Sequence, residues 1–498
     1  MKYISTRGNH EKTDAAEVIR TGMVPVGGLF VPEAYPEFSE REIKAMAAKT
    51  YQEIAVLVME KFLTDYSRDE LERATALAYS EENFPADEPV PLAKLGDHTF
   101  LLELWHGPTA AFKDMALQLM PHLLTGAIKK IDLDREIVIL VATSGDTGKA
   151  ALEGFKDIPG IKIIVFYPAQ GVSNIQERQM ITTGGANTYV VAVNGNFDDC
   201  QTAVKSVFAD RDFNMLLNQK SYQFSSANSI NWGRLLPQII YYFAAYTNLL
   251  RNEEIEYGEK VNIVVPTGNF GNILAAYYAY KMGLPVNKFI CASNENKVLA
   301  DFFNTGIYDI KREFKRTISP SMDILISSNF ERLLFDMSGC DGRKIKKWYE
   351  EDLKEKGSFE LDSETYKRIK ELFTGDYALE DELYQEISDI YADYNYLLDP
   401  HTAVGVNVYR KYYEKTADNT RTIIASTASP YKFPEAVLKA IDKNADKYDE
   451  YEMIRRINQI TGLEIHRALK DLEKKEIRHM NRCEAGQIRE EIMALLKI

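Results

Sequence analysis

The chain has 498 residues, a formal net charge of −14, and 45% hydrophobic and 27% charged residues. This length exceeds what one hydrophobic core usually serves, so we expect two to four domains. The composition is that of a soluble globular protein, and the negative charge argues against nucleic acid or an anionic membrane as a partner. An anionic substrate is not excluded, because a local cluster of cations can override the overall sign.

The chain contains four cysteines, Cys200, Cys291, Cys340 and Cys483. They form no Cys-x-x-Cys pair and have no histidine at ligand spacing, so we expect neither a disulfide framework nor a metal site. Residues 1–8 contain no apolar signal region, and no run approaches the length of a membrane span. These features favour a cytoplasmic protein without a membrane partner.

The first 83 residues have a mainly helical pattern after a short extended start. Apolar residues at three- and four-residue spacing predict helices at residues 43–46, 54–62 and 71–79. Paired glycines and a proline within residues 27–33 require a turn or an extended segment. Three prolines within residues 85–91 then break the helical pattern, and we expect a domain boundary after residue 83.

Beyond this boundary the chain alternates strands with helices. Short continuous apolar runs, typical of strands buried on both faces, occur at residues 137–142, 161–166, 189–193, 261–265, 289–292 and 422–426. Helical patterns follow several of them, as at residues 198–209 and 235–250. This alternation predicts an α/β fold with doubly wound parallel sheets, the smaller subdomain covering about residues 135–255.

Two later stretches depart from the alternation. Between about residues 300 and 395 the strands disappear, and a polar, acidic pattern predicts a helical elaboration. The end of the chain is helical and strongly charged. We therefore predict an N-terminal domain at 1–83, a core at 84–443 and a helical C-terminal extension at 444–498.

The stretch from Trp105 to Asp114 reads Trp-His-Gly-Pro-Thr-Ala-Ala-Phe-Lys-Asp. Its Gly-Pro turn and Thr109 predict a helix start, which puts Phe112 and Lys113 in or near the first turn. The positive end of the helix dipole disfavours a charged lysine there, so enclosure would lower its pKa and suit the amine for nucleophilic or base chemistry. Taken alone, the pattern is also that of a solvated lysine.

Two loops that follow predicted strands are rich in glycine and hydrogen-bond donors. Ligands of open α/β sheets bind beyond the carboxyl ends of the strands, where such loops lie. Residues 143–148 (Thr-Ser-Gly-Asp-Thr-Gly) can present donors to a carboxylate or phosphate. Residues 268–272 (Gly-Asn-Phe-Gly-Asn) precede a helix and form a possible phosphate cradle. Neither loop has the spacing of a named nucleotide motif, and each is also consistent with a tight strand–helix turn.

Polar residues also gather at two other loops. Asn228, Ser229 and Arg234 precede or begin a long apolar helix, and arginine suits bidentate phosphate contacts. The alternative there is a helix N-cap with a surface arginine. Thr427 follows the last predicted strand and can exchange one hydrogen bond, whereas an aspartate would hold a ring nitrogen protonated.

Together these stretches resemble the threonine synthase family, pyridoxal-phosphate enzymes of fold type II in the tryptophan-synthase-β-like group. The resemblance covers most of the chain in the same order, and it fits the longer form of the family, which carries an extra N-terminal domain. It rests on residues 3–8, 28–33, 106–114, 143–148, 176–180, 228–234, 268–272, 399–405, 427 and 432–434.

The resemblance implies a set of cofactor residues. Lys113 would be the Schiff-base lysine, with Phe112 beside the cofactor ring and Thr427 at the pyridine nitrogen. The cofactor phosphate would be held by Gly268, Asn269, Phe270, Gly271 and Asn272.

The resemblance also implies a substrate site. Residues for the substrate carboxylate and nearby groups would be Thr143, Ser144, Asp146 and Thr147. Residues for the substrate phosphate would be Asn228, Ser229 and Arg234. Simpler members of the family have Asn where this chain has Asp146, so the partner of the cofactor 3-hydroxyl stays open.

The implied reaction converts O-phospho-L-homoserine and water to L-threonine and phosphate, by γ-elimination of phosphate and addition of water at the β carbon. One alternative is a serine or threonine deaminase of the same fold type, which needs no site for a substrate phosphate. Another is a catalytically retired paralogue that binds phosphate esters. We expect a small-molecule substrate, no nucleic-acid or membrane partner, and a monomer or a homodimer.

Overall fold

The computed structural model describes residues 1–85 and 88–498. Its first elements are β1 (Tyr3–Ser5), α1 (Ala15–Thr21), β2 (Phe30–Pro32), α2 (Glu40–Met46), α3 (Tyr51–Phe62) and α4 (Arg68–Ala78). Capping boxes begin α2, α3 and α4, because the hydroxyls of Ser39, Thr50 and Ser67 accept a backbone N–H that the helix leaves free. The three helices predicted in this region are confirmed.

The next part of the chain alternates strands and helices. Its elements are β3 (Leu92–Lys94), β4 (Thr99–Glu103), α5 (Lys113–Leu117), α6 (Met120–Lys130), β5 (Glu136–Ala142), α7 (Asp146–Phe155), β6 (Ile161–Pro168), α8 (Asn174–Ile181), β7 (Thr188–Asn194), α9 (Phe197–Ala209), α10 (Arg211–Gln219), β8 (Tyr222–Ser225), α11 (Trp232–Arg251), β9 (Val261–Pro266), α12 (Gly271–Lys281) and β10 (Val286–Ser293).

The remaining part is richer in helices. Its elements are α13 (Val298–Thr305), β11 (Ile307–Asp309), α14 (Phe330–Met337), α15 (Gly342–Lys346), α16 (Leu353–Lys356), β12 (Ser358–Glu360), α17 (Ser363–Leu372), β13 (Phe373–Tyr377), α18 (Glu380–Tyr394), α19 (Pro400–Thr416), β14 (Thr422–Ser426), α20 (Pro434–Ile441), α21 (Glu450–Thr461), β15 (Asn481–Glu484) and α22 (Ile488–Leu496).

Two parallel sheets organise these elements. The larger has the order β13-β10-β9-β14-β4-β3, in which only β3 runs antiparallel to its neighbour. The smaller has the order β15-β7-β6-β5-β8 and is parallel throughout. All six predicted strands are present, and the predicted α/β class with parallel sheets is confirmed. The carboxyl ends of the strands face the loops that the sequence singles out.

Some strands are not predicted by the sequence patterns. The expectation that residues 300–395 lack strands is wrong, because β11 pairs with β12 and β13 forms an edge of the larger sheet. The C-terminal extension is mainly helical but contributes β15 to the edge of the smaller sheet. Edge strands need no continuous apolar run, and β13 and β15 are rich in polar residues. The domain boundaries stay a prediction, and the first lies close to Ala86 and Asp87, which are outside the described residues.

The long helix α11 lies at the centre of the largest core. The ring of Trp232, at its start, lies 5.2 Å from that of Tyr3 and 5.4 Å from that of Phe62. This contact joins the N-terminal region to the α/β part of the chain. Although α11 has 20 residues, neither it nor any other helix in the described residues is long and apolar enough to cross a membrane.

Helix α7 packs closely on the helix that begins at Lys113, and Gly154 makes the approach possible. A Cβ atom at Gly154 would lie 1.9 Å from the carbonyl oxygen of Leu117. We expect Gly154→Ala to lower the free energy of unfolding by about 1–3 kcal/mol, because the helices must separate. The midpoint of urea unfolding measures the change. Gly486→Ala is the control, since a Cβ there meets nothing within 4 Å; equal stability of both variants would contradict the prediction.

Candidate active site

The turn before α5 is fixed by one buried carboxylate. Asp114 accepts hydrogen bonds from the backbone N–H of Thr109 at 2.8 Å and from its hydroxyl at 2.7 Å. Burial raises the pKa of Asp114 to about 6, although both bonds to Thr109 oppose the rise. Gly107 must lack a side chain, because its Cβ would lie 2.5 Å from the Cβ of Asp114. This turn sets Lys113 as the first residue of α5.

The Lys113 amine is enclosed and lies between two polar side chains. Its Nζ lies 3.3 Å from Asp146 Oδ2 and 3.3 Å from the hydroxyl of Ser321. Burial lowers the pKa of Lys113, Asp146 raises it, and the charges of Lys432 and Arg234 lower it further. The net shift is downward, which increases the share of neutral amine near pH 7.

Asp146, the first residue of α7, is the centre of a buried ionic cluster. Besides Lys113, its carboxylate contacts Lys432 Nζ at 3.0 Å and accepts from Gln176 Nε2 at 2.8 Å and from the Ser321 hydroxyl at 3.2 Å. Burial alone would raise the pKa of Asp146, but Lys432 and Lys113 bring it well below its ordinary value. Asp146 therefore stays a carboxylate across the physiological range.

Ser321 is held in place by a buried histidine. Its backbone N–H donates to His401 Nε2 at 3.2 Å, and His401 Nδ1 lies 2.9 Å from Asp399 Oδ1. Because Nε2 accepts a hydrogen bond, the ring proton belongs on Nδ1, which donates a hydrogen bond to the Asp399 carboxylate. Asp399 also caps α19. This relay fixes the loop that brings Ser321 to Lys113.

The glycine-rich loop of residues 268–272 adjoins Ser321 and leads into α12. A Cβ at Gly268 would lie 2.6 Å from the carbonyl oxygen of Ser321, so a larger residue would push the two loops apart. Phe270 has φ 63° and its ring packs against Phe330 at 4.9 Å, which leaves only its backbone for a ligand. Asn269 is exposed. The start of an 11-residue helix, with its free N–H groups, suits a phosphate.

Asn272 lies in the first turn of α12. Its Oδ1 accepts a hydrogen bond from the hydroxyl of Tyr242. Its buried Nδ2 has no hydrogen-bond partner within residues 1–85 and 88–498. A buried donor without an acceptor is unfavourable, and an anion at this helix start would supply the acceptor.

The loop after β5 is closed by its own threonine. Thr143 Oγ1 accepts from the backbone N–H groups of Gly145 at 3.0 Å and Gly148 at 2.9 Å. Ser144 is exposed and Thr147 half-buried, so their hydroxyls remain accessible at the start of α7. Gly145 has φ 141°, and a Cβ there would lie 2.5 Å from the Gln176 side chain.

The loop before α11 brings Arg234 into the buried region. Arg234 Nη1 donates to the carbonyl of Ala227 at 2.7 Å, and its Nε finds no acceptor in the described part of the chain. Burial lowers the pKa of Arg234 to about 10. The Ser229 hydroxyl lies 3.4 Å from Ser328 Oγ, which donates to Asn269 Oδ1 at 3.3 Å, while Asn228 is exposed. Ser328 therefore links the loop before α11 to the glycine-rich loop before α12.

Thr427 lies beside the peptide that carries Lys113. The backbone N–H of Phe112 donates to the Thr427 carbonyl at 2.8 Å, and the Thr427 N–H donates to Thr402 Oγ1 at 3.3 Å. The Thr427 side chain is buried. Lys113 Nζ lies 5.0 Å from the centre of the half-buried Phe112 ring.

The structure thus brings Lys113, Asp146, Thr427 and the start of α12 together, and it adds residues that sequence reasoning did not assign. Ser321 lies in a short 3₁₀ helix, Pro320–Met322, and carries no sequence signal. Gln176, His401 and Lys432 lie within motifs that carry the family resemblance, but the resemblance alone gives them no role. The signal that could identify these three is their polar character within those motifs.

Three family models match this chain. Residues 2–79 match the family model of the threonine synthase N terminus, residues 84–427 that of pyridoxal-phosphate dependent enzymes, and residues 402–487 that of the threonine synthase C-terminal region. Threonine synthase of Pseudomonas aeruginosa is 39% identical over 88% of this chain and 90% of its own length. The crystal structure of pyridoxal-phosphate-bound threonine synthase from Brucella melitensis has a TM-score of 0.88 at 36% identity, covering 99% of this chain and 98% of that one.

Human threonine synthase-like 1 is 42% identical over 86% of this chain, which spans only 58% of the length of that protein. The matched family models and the P. aeruginosa and B. melitensis enzymes extend over nearly the whole chain. The chain belongs to the threonine synthase family of pyridoxal-phosphate-dependent enzymes.

Proposed function

We propose that the chain is a threonine synthase that converts O-phospho-L-homoserine and water to L-threonine and phosphate. The observation that carries the proposal is the enclosed Lys113 amine, 3.3 Å from the Asp146 carboxylate and next to a glycine-rich helix start. A lysine with a lowered pKa and a nearby anion site is what a pyridoxal-phosphate enzyme needs.

The cofactor fits the residues around Lys113. Bound through Lys113, pyridoxal phosphate supplies the electron sink that makes proton removal next to the substrate amino group possible. The Nδ2 of Asn272, which has no hydrogen-bond partner among the described residues, and the small Gly268 support a phosphate at the start of α12. We assign the phosphate to residues 268–272, the ring face to Phe112 and the ring nitrogen to Thr427.

The substrate groups are assigned by charge. Arg234, buried with a free Nε, supports binding of the substrate phosphate together with Ser229 and Asn228. Ser144 and Thr147, with the N–H groups that begin α7, are suited to the substrate carboxylate. Asp146 would repel that carboxylate, so we assign it to the positioning of Lys113 and Lys432 rather than to direct substrate binding.

Proton transfer falls to the Lys113 amine. As a neutral amine it removes a proton from the α carbon, and its flexible stem lets it serve the neighbouring β carbon as well. The Asp146 carboxylate stabilises the ammonium form between these steps, because it lies within ion-pair distance. The Ser321 hydroxyl, in contact with both groups, keeps the amine oriented.

A second candidate is a protein that binds phosphate esters without turnover. It is favoured by the match to threonine synthase-like 1 proteins, of whose length this chain spans 58–60%. The presence of Lys113 and its ionic partners favours the enzyme. We infer a cytoplasmic location, because the four cysteines are free thiols in the described structure, as a reducing compartment keeps them.

Lys113→Ala tests the enzyme directly. We expect the purified variant to lose the visible absorbance of the bound cofactor and to release phosphate from O-phospho-L-homoserine at least about 10³-fold more slowly, because both nucleophile and base are removed. Lys220→Ala, at an exposed lysine, serves as the control and keeps both properties. A wild-type protein that takes up no cofactor, or takes it up without turnover, would contradict the proposal, and the second outcome would support the non-catalytic candidate.

Arg234→Lys tests the phosphate site. Loss of a charge-assisted hydrogen bond costs about 1.5–3 kcal/mol, so we expect KM for O-phospho-L-homoserine to rise about tenfold or more. Cofactor absorbance reports whether the variant folds. Serine, which has no phosphate, is the control substrate. Turnover of serine by the wild type, undiminished by the substitution, would instead indicate a deaminase.

Asp146→Asn tests the electrostatic control of Lys113. Asp146 raises the pKa of Lys113, so its removal lowers that pKa further and the neutral amine persists to lower pH. We therefore expect the pH profile for cofactor uptake by cofactor-free protein to move to lower pH. Glu136→Gln, at a surface pair with Lys162, is the control and leaves the profile in place. A shift to higher pH would refute this account.

A further inference from the structure

A second cleft lies between α7, α8 and residues 467–475, and Pro108 also lines it. Its cavity has a volume of about 340 Å³, which suits a small ligand. Asp146 begins α7, whereas Lys149 and Glu153 line the cleft about one and two turns further along that helix. None of the residues proposed for the reaction's own phosphate, at 228–234 and 268–272, is among those that line this cleft. The polar side chains that line the cleft include Lys149, Glu153, Lys156, Gln179, Arg467 and Lys475.

The cleft carries an excess of positive charge. Four cationic side chains and one carboxylate line it. The carboxylate is that of Glu153, which forms an ion pair with Lys149. Lys149 Nζ also donates to Thr183 Oγ1 at 2.9 Å. Lys156 and Lys475 have no ion-pair partner in the described residues. Burial lowers the pKa of Lys149 against the opposing effect of Glu153, and Lys475 lowers it further, so the cations repel one another.

Gln179 adds a second and independent indication of a ligand. The residue is 1% exposed and lines the cleft, yet neither its Nε2 nor its Oε1 has a hydrogen-bond partner among the described residues. A buried amide without partners is unfavourable, and this one needs both an acceptor and a donor. A carboxylate offers acceptors only. Hydrogen phosphate, or a phosphate ester with a hydroxyl group, offers both.

The cleft continues into a neighbouring hollow. The second cavity, of about 360 Å³, shares Lys156, Thr182, Gly184 and Lys475 with the first and adds Gly185, Glu476 and Arg478. Gly184 borders both cavities, and a Cβ there would lie 3.3 Å from Arg478 Nη1. The combined space accommodates an organic group attached to a phosphate.

We propose that this cleft is a binding site for a phosphate group, carried either by free phosphate or by a small hydroxylated phosphate ester. Lys149, Lys156, Lys475 and Arg467 supply the counter-charge, since lysine ammonium groups bind phosphate as point charges. The Gln179 amide donates to a phosphate oxygen and accepts from a hydroxyl. The site is separate from the one that the proposed reaction uses for its own phosphate.

An occupant would contact both helices that hold Asp146. Helix α7 carries Asp146 and Lys149, and α8 carries Gln176 and Gln179 one turn apart. Gln176 Nε2 donates to Asp146 Oδ1 at 2.8 Å. Ligand bound between the helices therefore acts on the elements that position Asp146 beside Lys113, so binding is expected to change turnover as well as stability.

The experiment measures lysine acylation in the holoenzyme by mass spectrometry, with inorganic phosphate, glycerol 3-phosphate or succinate added. We expect either phosphate compound to slow the modification of Lys156 and Lys475, while exposed Lys220 reacts at an unchanged rate and succinate has little effect. Stronger protection by glycerol 3-phosphate would identify an ester as the occupant. Equal or stronger protection by inorganic phosphate would identify the free ion.

Two variants localise the effect. Gln179→Leu is expected to weaken protection about tenfold or more without lowering the Tm of the unligated protein, because it removes an unpaired buried amide. Lys475→Ala, at an exposed position, is expected to weaken protection of Lys156 similarly. No protection of Lys156 and Lys475, equal protection by succinate, or unchanged affinity in both variants would each overturn the proposal. None of these outcomes depends on turnover at Lys113.

Discussion

One buried carboxylate between two buried ammonium groups is the interaction on which the site depends. Asp146 contacts Lys113 at 3.3 Å and Lys432 at 3.0 Å, and all three side chains are almost wholly withdrawn from solvent. Such a cluster is stable only when it is complete, because removal of one member leaves an uncompensated buried charge. It joins the start of α5, the start of α7 and the turn that follows β14, three segments that are distant in sequence.

The N-terminal region forms hydrogen bonds that hold the loop before α11 in place. Asn231, which caps α11, donates to the carbonyl of Ile19 at 3.0 Å, and Arg332 donates to the carbonyls of Phe30 at 2.9 Å and Ile230 at 2.6 Å. These bonds hold the loop that carries Ser229 and Arg234 against residues of the first 32. The region is therefore more than an appended domain, because its backbone supplies acceptors that fix a loop of the candidate site.

Sequence reasoning reached the parts of the site that local chemistry encodes. A Gly-Pro turn before a helix, and glycine-rich loops after apolar strands, carry their own structural requirement, so Lys113 and the start of α12 could be found. Ser321 could not, because its contact with Lys113 depends on a single 3₁₀ turn, distant in sequence, that a hydrogen bond to His401 holds in place. The fold shows the same division: apolar central strands were predicted, whereas β13 and β15 were missed because edge strands carry polar residues.

The strand β15 has a consequence for how the molecule is made. It pairs with β7, and Asn194 donates to a Glu484 side chain that lies 290 residues further along the chain. During synthesis on the ribosome, the backbone groups on this edge of β7 stay unpaired until almost all of the remaining chain has emerged. Unpaired strand edges form hydrogen bonds with strands of other chains, which leads to aggregation. The polar, charged character of β15 then has a benefit, since the last strand to arrive has little tendency to pair with the wrong partner.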